Sequence, residues 1–306
     1  MAMYLKHFGF KEKPFSLTPD TQFFLNEQSH RDALNTILVS LQHSEGFIKV
    51  VGEVGTGKTI LCRKLLAMLD PRFLSSYIPN PYLTPAELKG LVAREIGADV
   101  DDAMSSDQLL VAINRRLLLL AKAGRQVVLI IDEAQAMPRE TIEALRLLTN
   151  METEKRKLLQ VVLLGQPELD VLLNRSDLRQ LKQRIVFSEY LRPFTVKGAK
   201  AYVEHRLSFA GVEQRLFSPM ALWLLAKGSR GIPRLLNVMA HKSLMLAYGS
   251  GEYTVRTRHV AKAIVDTEES SRLGRLLSLR WHLLWPVLGG TSAGLFLMLK
   301  SAGGVS

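Results

Sequence analysis

From residue 47 to residue 165 the chain alternates short, nearly unbroken apolar runs with segments whose apolar residues recur three and four positions apart. The runs Phe47–Val51, Phe73–Ile78, Gln126–Ile131 and Gln160–Leu164 are the right length for strands, and their continuity suits strands buried on both faces. Between them, Ile60-Leu61-Cys62-Arg63-Lys64-Leu65-Leu66 has helical character. Thr84-Pro85-Ala86-Glu87 has the form of a capped helix start, and a helix opened by Ser105 or Ser106 runs to Ala123 before Gly124 ends it. Ahead of the first strand, Ser29 is placed to cap a helix reaching about Leu41, with Ala33, Leu34, Ile37, Leu38 and Leu41 on its apolar face. Alternation of this kind predicts an α/β fold, a parallel sheet sandwiched by helices.

After Thr195 strand-like runs disappear. Ser218-Pro219 starts a helix that Gly228 ends, Pro233 starts another to about Tyr248, and a last one follows Thr257. The pattern divides the chain into an arm and helix (1–45), a nucleotide-binding α/β domain (46–194) and a small all-α lid domain (195–268). A basic linker (269–280) and an uncharged apolar segment (281–299) follow. In the arm, Pro14, Pro19, Phe8, Phe10, Phe15, Phe23 and Phe24 suggest packing rather than disorder.

Composition narrows this picture modestly. A chain of 306 residues with 47% hydrophobic content is long enough for one sizeable core and a smaller second one. The single cysteine, Cys62, excludes an internal disulfide framework and reads as a buried thiol. Lys6, Lys11 and Lys13 are followed by no apolar run, so no cleavable signal peptide is expected. The formal charge of +11 suits nucleic acid, an anionic membrane surface or a bound nucleotide. Its spread along the chain makes most of it ordinary solvated surface.

Chemistry enters at Gly52-Glu53-Val54-Gly55-Thr56-Gly57-Lys58-Thr59, which fits the phosphate-loop pattern G-x-x-x-x-G-K-[ST] between a strand and a helix. Its backbone N–H groups, with Ile60 on the first helical turn, are expected to face the phosphates of ATP. Lys58 would meet the β- and γ-phosphates, and Thr59 would coordinate Mg²⁺. The strand Val127–Ile131 ends in Asp132 and Glu133. Asp132 is expected to help hold the metal, and Glu133 to polarise the attacking water, which turns binding into hydrolysis. Gln166, at the tip of the next strand, is either a γ-phosphate sensor or a turn residue. Leu178–Ile185 reads as a basic helix whose Arg184, or failing it Arg179, would act on a neighbouring subunit's nucleotide; solvated helix arginines are the plain alternative. Arg234, in Gly231-Ile232-Pro233-Arg234, would reach the γ-phosphate from the lid.

Taken together these motifs resemble an AAA+ ATPase. The chain is similar to the general secretion pathway protein A group and, within it, to the shorter ATPase of mannose-sensitive haemagglutinin (MSHA) pilus biogenesis. Phe8-Gly9-Phe10, Pro14-Phe15, Asp132-Glu133-Ala134-Gln135 and Leu145-Arg146-Leu147-Leu148-Thr149-Asn150 carry the resemblance. So do Leu163-Leu164-Gly165-Gln166-Pro167-Glu168-Leu169 and Leu181-x-Gln183-Arg184-Ile185. The resemblance implies a homo-oligomer, ring or partial ring, at the bacterial inner membrane with its ATPase domain in the cytoplasm. It would support pilus or type II secretion assembly proteins. Secretion-type members continue into a periplasmic peptidoglycan-binding domain, whereas this sequence stops at Ser306. Peptidoglycan binding is therefore not expected of it, and the pilus-type relative fits better.

The segment Trp281–Leu299 bears on that location. At about 1.5 Å per residue it approaches a hydrocarbon thickness of roughly 30 Å. Arg272, Arg275 and Arg280 precede it and favour a cytoplasmic side; a membrane-spanning anchor is expected, with an amphipathic tail as the alternative. The rival function is a DNA-associated ATPase like the transposition regulators of this lineage, favoured by the basic charge and opposed by the apolar segment. A nucleotide-dependent scaffold with slow hydrolysis is a third reading.

Overall fold

A computed structural model describes residues 3–18, 20–23, 25, 27–101, 103–153 and 157–267. These fall into two units, 20–192 and a second made of 3–18 with 193–267, so the expected arm is divided between them. After α1 (Met3–Phe8), which belongs to the second unit, the larger unit runs α2 (Gln28–Gln42), β1 (Phe47–Gly52), α3 (Lys58–Met68), β2 (Phe73–Ile78), α4 (Pro85–Glu95) and α5 (Ser106–Lys122). It continues through β3 (Gln126–Ile131), α6 (Arg139–Leu148), β4 (Leu159–Gly165), α7 (Glu168–Leu173), α8 (Arg179–Lys182) and β5 (Ile185–Leu191).

The strands form one parallel sheet in the order β2-β3-β4-β1-β5. Residues along a strand alternate between faces, and β3 feeds two cores in this way. Val128 and Ile130 pack in the core that holds Ile37 and Leu41 of α2 and Leu61 and Leu65 of α3. Val127, Leu129 and Ile131 join Leu88, Ile113, Leu117 and Leu145 from α4, α5 and α6. Because both faces are covered, the run reads as continuously apolar rather than alternating.

Helix starts follow local chemistry. Thr84 and Glu87 form a reciprocal capping box on α4, and Ser105 and Gln108 form another on α5. Each such cap stabilises its helix by about 1 kcal/mol. One expectation needs correcting: α2 begins before Ser29, and its cap is Glu27, whose carboxylate accepts from the Gln28 N–H. A second concerns the basic helix at 178–185. Only Arg179–Lys182 is α-helical, after a 3₁₀ turn that ends at Leu178, and Ile185 opens a fifth strand that the sequence did not announce. β5 is an edge strand with Val186, Phe187, Ser188 and Tyr190 exposed, so it lacks the unbroken apolar signature of its neighbours.

The second unit contains α9 (Val196–Phe209), α10 (Pro219–Gly228), α11 (Pro233–Gly249) and α12 (Thr257–Val265). The arm is tied to them by Arg206, a buried cation on α9. Its Nε donates to the Pro14 carbonyl at 2.5 Å, and Nη1 donates to Tyr202 Oη at 2.7 Å and Asn237 Oδ1 at 3.3 Å. Phe8, Phe10 and Phe15 are buried in this unit and Phe23 in the larger one; Pro19 and Phe24 lie outside the described residues. The linker 269–280 and the expected anchor 281–299 also lie outside them. Among the described residues no helix is long and apolar enough to cross a membrane.

Candidate functional site

The sheet's C-terminal edge, where parallel sheets hold ligands, collects the chemistry predicted from sequence. β1 delivers Gly52, and the loop turns into α3 through Gly57, whose φ of +101° is a left-handed conformation that favours glycine. No side chain caps α3. Its first N–H groups therefore face outward as donors with the positive end of the helix dipole behind them. A Cβ on Gly52 would lie 2.7 Å from Thr56 Oγ1 and 3.0 Å from Leu191 Cβ, so the strand's exit admits only glycine. Within the loop Glu53 and Val54 are exposed, Gly55 is half-buried, and the Thr56 hydroxyl donates to the Glu53 carbonyl at 2.8 Å. Ile60 is half-buried on the first turn of α3.

Lys58 is buried, and its ammonium donates to the carbonyls of Gly52 (2.8 Å) and Glu53 (3.2 Å). Burial lowers its pKa against the opposing pull of Glu133, Asp132, Glu53 and Glu168. One helical position on, Thr59 Oγ1 donates to Asp132 Oδ2 at 2.9 Å, and the Tyr77 hydroxyl approaches the same oxygen at 3.4 Å. Burial, then Asp132, pushes that phenol up to about 12, so it is a donor throughout the neutral range. A hydroxyl and a carboxylate this close are the hard oxygen donors that Mg²⁺ takes, with waters and phosphate oxygens completing its octahedron. The residues present fit the ion.

Glu133 follows with φ of +50°, an uncommon value for a residue with a Cβ. Its carboxylate meets the tip of β4. There Gln166 Nε2 donates to Glu133 Oε2 at 2.9 Å and Gln135 Nε2 donates to the same oxygen at 2.6 Å. Gln135 Oε1 in turn accepts from the Gln166 backbone N–H at 2.9 Å, closing a ring of three residues. Burial pushes the Glu133 pKa up, yet the bonds from Gln166 and Gln135 and the charge on Lys58 outweigh it and hold the carboxyl below its usual range. Glu133 is thus an ionised acceptor, oriented and half-buried.

Residues 41–173 match the family model described as AAA domain. The General secretion pathway protein A of Aeromonas hydrophila is 40% identical over 253 residues, which are 83% of this chain and 46% of that protein. The chain belongs to the general secretion pathway protein A group of AAA+ proteins. It spans less than half the length of that relative. Its fold is shared with the Aeropyrum pernix ORC2 protein (TM-score 0.62, 18% identity, 85% of this chain and 72% of that one). The same holds for Cdc6p from Pyrobaculum aerophilum (0.62, 20%, 82% and 69%) and the Thermotoga maritima RuvB Holliday junction branch migration motor (0.54, 18%, 82% and 72%).

Within this AAA+ unit, Arg184 stands apart from Lys58, Asp132 and Gln166. Arg184 immediately precedes β5, whose Ile185 pairs with Phe47 at the start of β1 while Leu191 pairs with Gly52 at its end. In a parallel sheet, Arg184 therefore sits at the N-terminal edge, about 17 Å of strand from the loop at roughly 3.3 Å per residue. Its charge lies near Glu152, ahead of β4. Arg179 is exposed on α8. Arg234 is exposed on the first turn of α11, in the helical unit. Sequence reading gave no separate role to Gln135, Tyr77 or His30, whose ring nitrogen Nε2 lies 2.8 Å from the Thr56 carbonyl. Amides, phenols and single histidines carry no spacing rule that would have singled them out.

Proposed function

We propose that the chain binds ATP with Mg²⁺ at Gly52–Ile60 and hydrolyses it, with Glu133 as the base that accepts the proton of the attacking water. The observation that carries this reading is the ionised Glu133 carboxylate, held by Gln135 and Gln166 next to the Thr59–Asp132 pair. When bound, Mg²⁺ neutralises charge on the phosphates; Thr59 and Asp132 are the residues to hold it. Lys58 leaves its two carbonyl partners for the phosphate oxygens, and Gln166 orients the water beside Glu133. Substituting Glu133→Gln should keep ATP affinity within about twofold and reduce turnover by some 10²–10⁴-fold, the range for a lost general base. Undiminished hydrolysis in that variant would remove Glu133 from this role.

Arg184 cannot reach its own site along the sheet, which supports a role on the nucleotide of a neighbouring copy in a ring or partial ring. Arg234 is assigned to the lid side of the nucleotide. The kinship with general secretion pathway protein A supports an assembly factor for type II secretion or an MSHA-like type IV pilus. Its workplace is the cytoplasmic face of the bacterial inner membrane, with 281–299 as the anchor. Fractionation of the full chain against a truncation at Arg280 tests the location, since the two must differ if the anchor exists. A DNA-associated ATPase is the second reading. It is favoured by the net charge of +11 and by fold neighbours that include an Aeropyrum pernix ORC1 protein solved in complex with DNA. DNA binding whose log affinity falls steeply with log salt would establish it.

A further inference from the structure

His30 is a charged-type side chain placed where the nucleotide chemistry does not need one. It projects from α2, is 3% exposed, and its Nε2 lies 2.8 Å from the carbonyl oxygen of Thr56 in the phosphate loop. A carbonyl oxygen has only lone pairs to offer, so the proton of this bond belongs to the ring, and Nε2–H donates.

The peptide that receives the bond joins Thr56 to Gly57. A trans peptide is planar, and its C=O and N–H point in opposite directions. Fixing the Thr56 carbonyl against α2 therefore aims the Gly57 N–H away from α2, towards the concave side of the loop. The contact is close as well as directional. A Cβ on Gly57 would sit 3.0 Å from His30 Nε2, so the ring packs flush on the turn where φ is +101°. Its platform is firm, because Ala33, Leu34 and Ile37 of the same helix are buried in the core that also holds Leu61 and Leu65 of α3. A donor on a rigid element holds geometry better than one on a loop.

We propose that His30 is a positioning residue of the phosphate loop, holding the Thr56–Gly57 peptide so that the Gly57 N–H is preset for the phosphates of a nucleoside triphosphate. This rests on the reading of Gly52–Thr59 as the nucleotide loop. Burial keeps the imidazole neutral at physiological pH, against the opposing effects of the Thr56 bond and of Glu27. His30 thus supplies a donor without adding a second buried cation beside Lys58.

The test uses the full chain and a fluorescent ATP analogue titrated against wild type, His30→Phe, His30→Gln and Lys58→Ala, with thermal unfolding of each apoprotein alongside. His30→Phe keeps a ring of similar shape and loses the donor; its nucleotide affinity should fall about tenfold, the scale of one lost hydrogen bond to a buried group. His30→Gln, whose amide nitrogen reaches as far as Nε2, should stay within about threefold of wild type. A loss that spares Gln is what a merely space-filling histidine would not produce. If the Phe variant does not fold, His30→Asn replaces it under the same expectation, since its shorter amide does not reach Thr56. The proposal is overturned if His30→Phe or its Asn substitute binds within twofold of wild type, or if Gln loses as much as Phe. A wild type that binds no nucleotide, with Lys58→Ala no different from it, sinks the loop's assignment itself, and the role of His30 with it.

Discussion

The two sides of the nucleotide site are made of different materials. Where β1 runs into α3, the site is backbone: a left-handed Gly57, a Gly52 that leaves no room for a Cβ, and an uncapped helix start. Where β3 and β4 end, it is side chain, with Glu133 gripped by the amides of Gln135 and Gln166. A backbone site is governed by sterics and tolerates little, whereas an amide ring can lose a member and still hold the carboxylate by the other. The phosphate side should therefore fail abruptly on substitution and the acid side should degrade in steps.

The sharpest contrast comes from Gly52→Ala. Forcing a methyl into contact with Thr56 and Leu191 costs about 1–3 kcal/mol, and a loop that yields to relieve it should lose roughly 10- to 100-fold in ATP affinity by titration. Wild-type affinity in a folded Gly52→Ala protein would break the comparison on its backbone side. Next in size are Gln166→Leu and Gln135→Leu. Each removes one hydrogen bond to a charged group and should lower turnover by about tenfold with affinity unchanged. They should also move the acid limb of the pH–rate profile. Glu133 is ionised above its depressed pKa, so activity is retained on acidification until pH falls through that value; losing an amide donor raises the pKa and shifts the limb to higher pH. An unmoved limb would mean the amides do not tune Glu133. The smallest effect belongs to Tyr77→Phe, whose bond to Asp132 is a long 3.4 Å; about twofold in Mg²⁺ dependence of turnover is the expected limit.

The same contrast explains what could be read from sequence. Lys58, Thr59, Asp132 and Glu133 were legible because glycine spacing and a strand that ends in acids leave few alternatives. The three inner strands, β1, β3 and β4, were legible because burial on both faces writes a nearly unbroken apolar run. β5 was not, since an edge strand with four outward residues among Ile185–Leu191 looks like any mixed segment. Without that strand Arg184 reads as a helix residue; the pairing of Ile185 with Phe47 puts it at the edge opposite the loop. Gln135 stood in view between Glu133 and the next helix, but its partners are 2 and 31 residues away, and only the folded β4 tip brings them together. The cap of α2 slipped for a related reason. Glutamate is not among the favoured capping residues, so propensity points to Ser29, whereas the helix starts at Gln28 with Glu27 as its cap.

Cys62 lies one turn beyond Lys58 on α3, fully buried against the sheet, and burial followed by the charge of Asp132 pushes its thiol up to about 12. A thiol so protonated and so enclosed is inert to alkylating reagents while α3 stays in place. It is also the chain's one sulfhydryl. The protein thus carries a built-in clock: the rate at which Cys62 is modified counts how often α3 lifts from the sheet, with no label to introduce and no second thiol to confuse the signal.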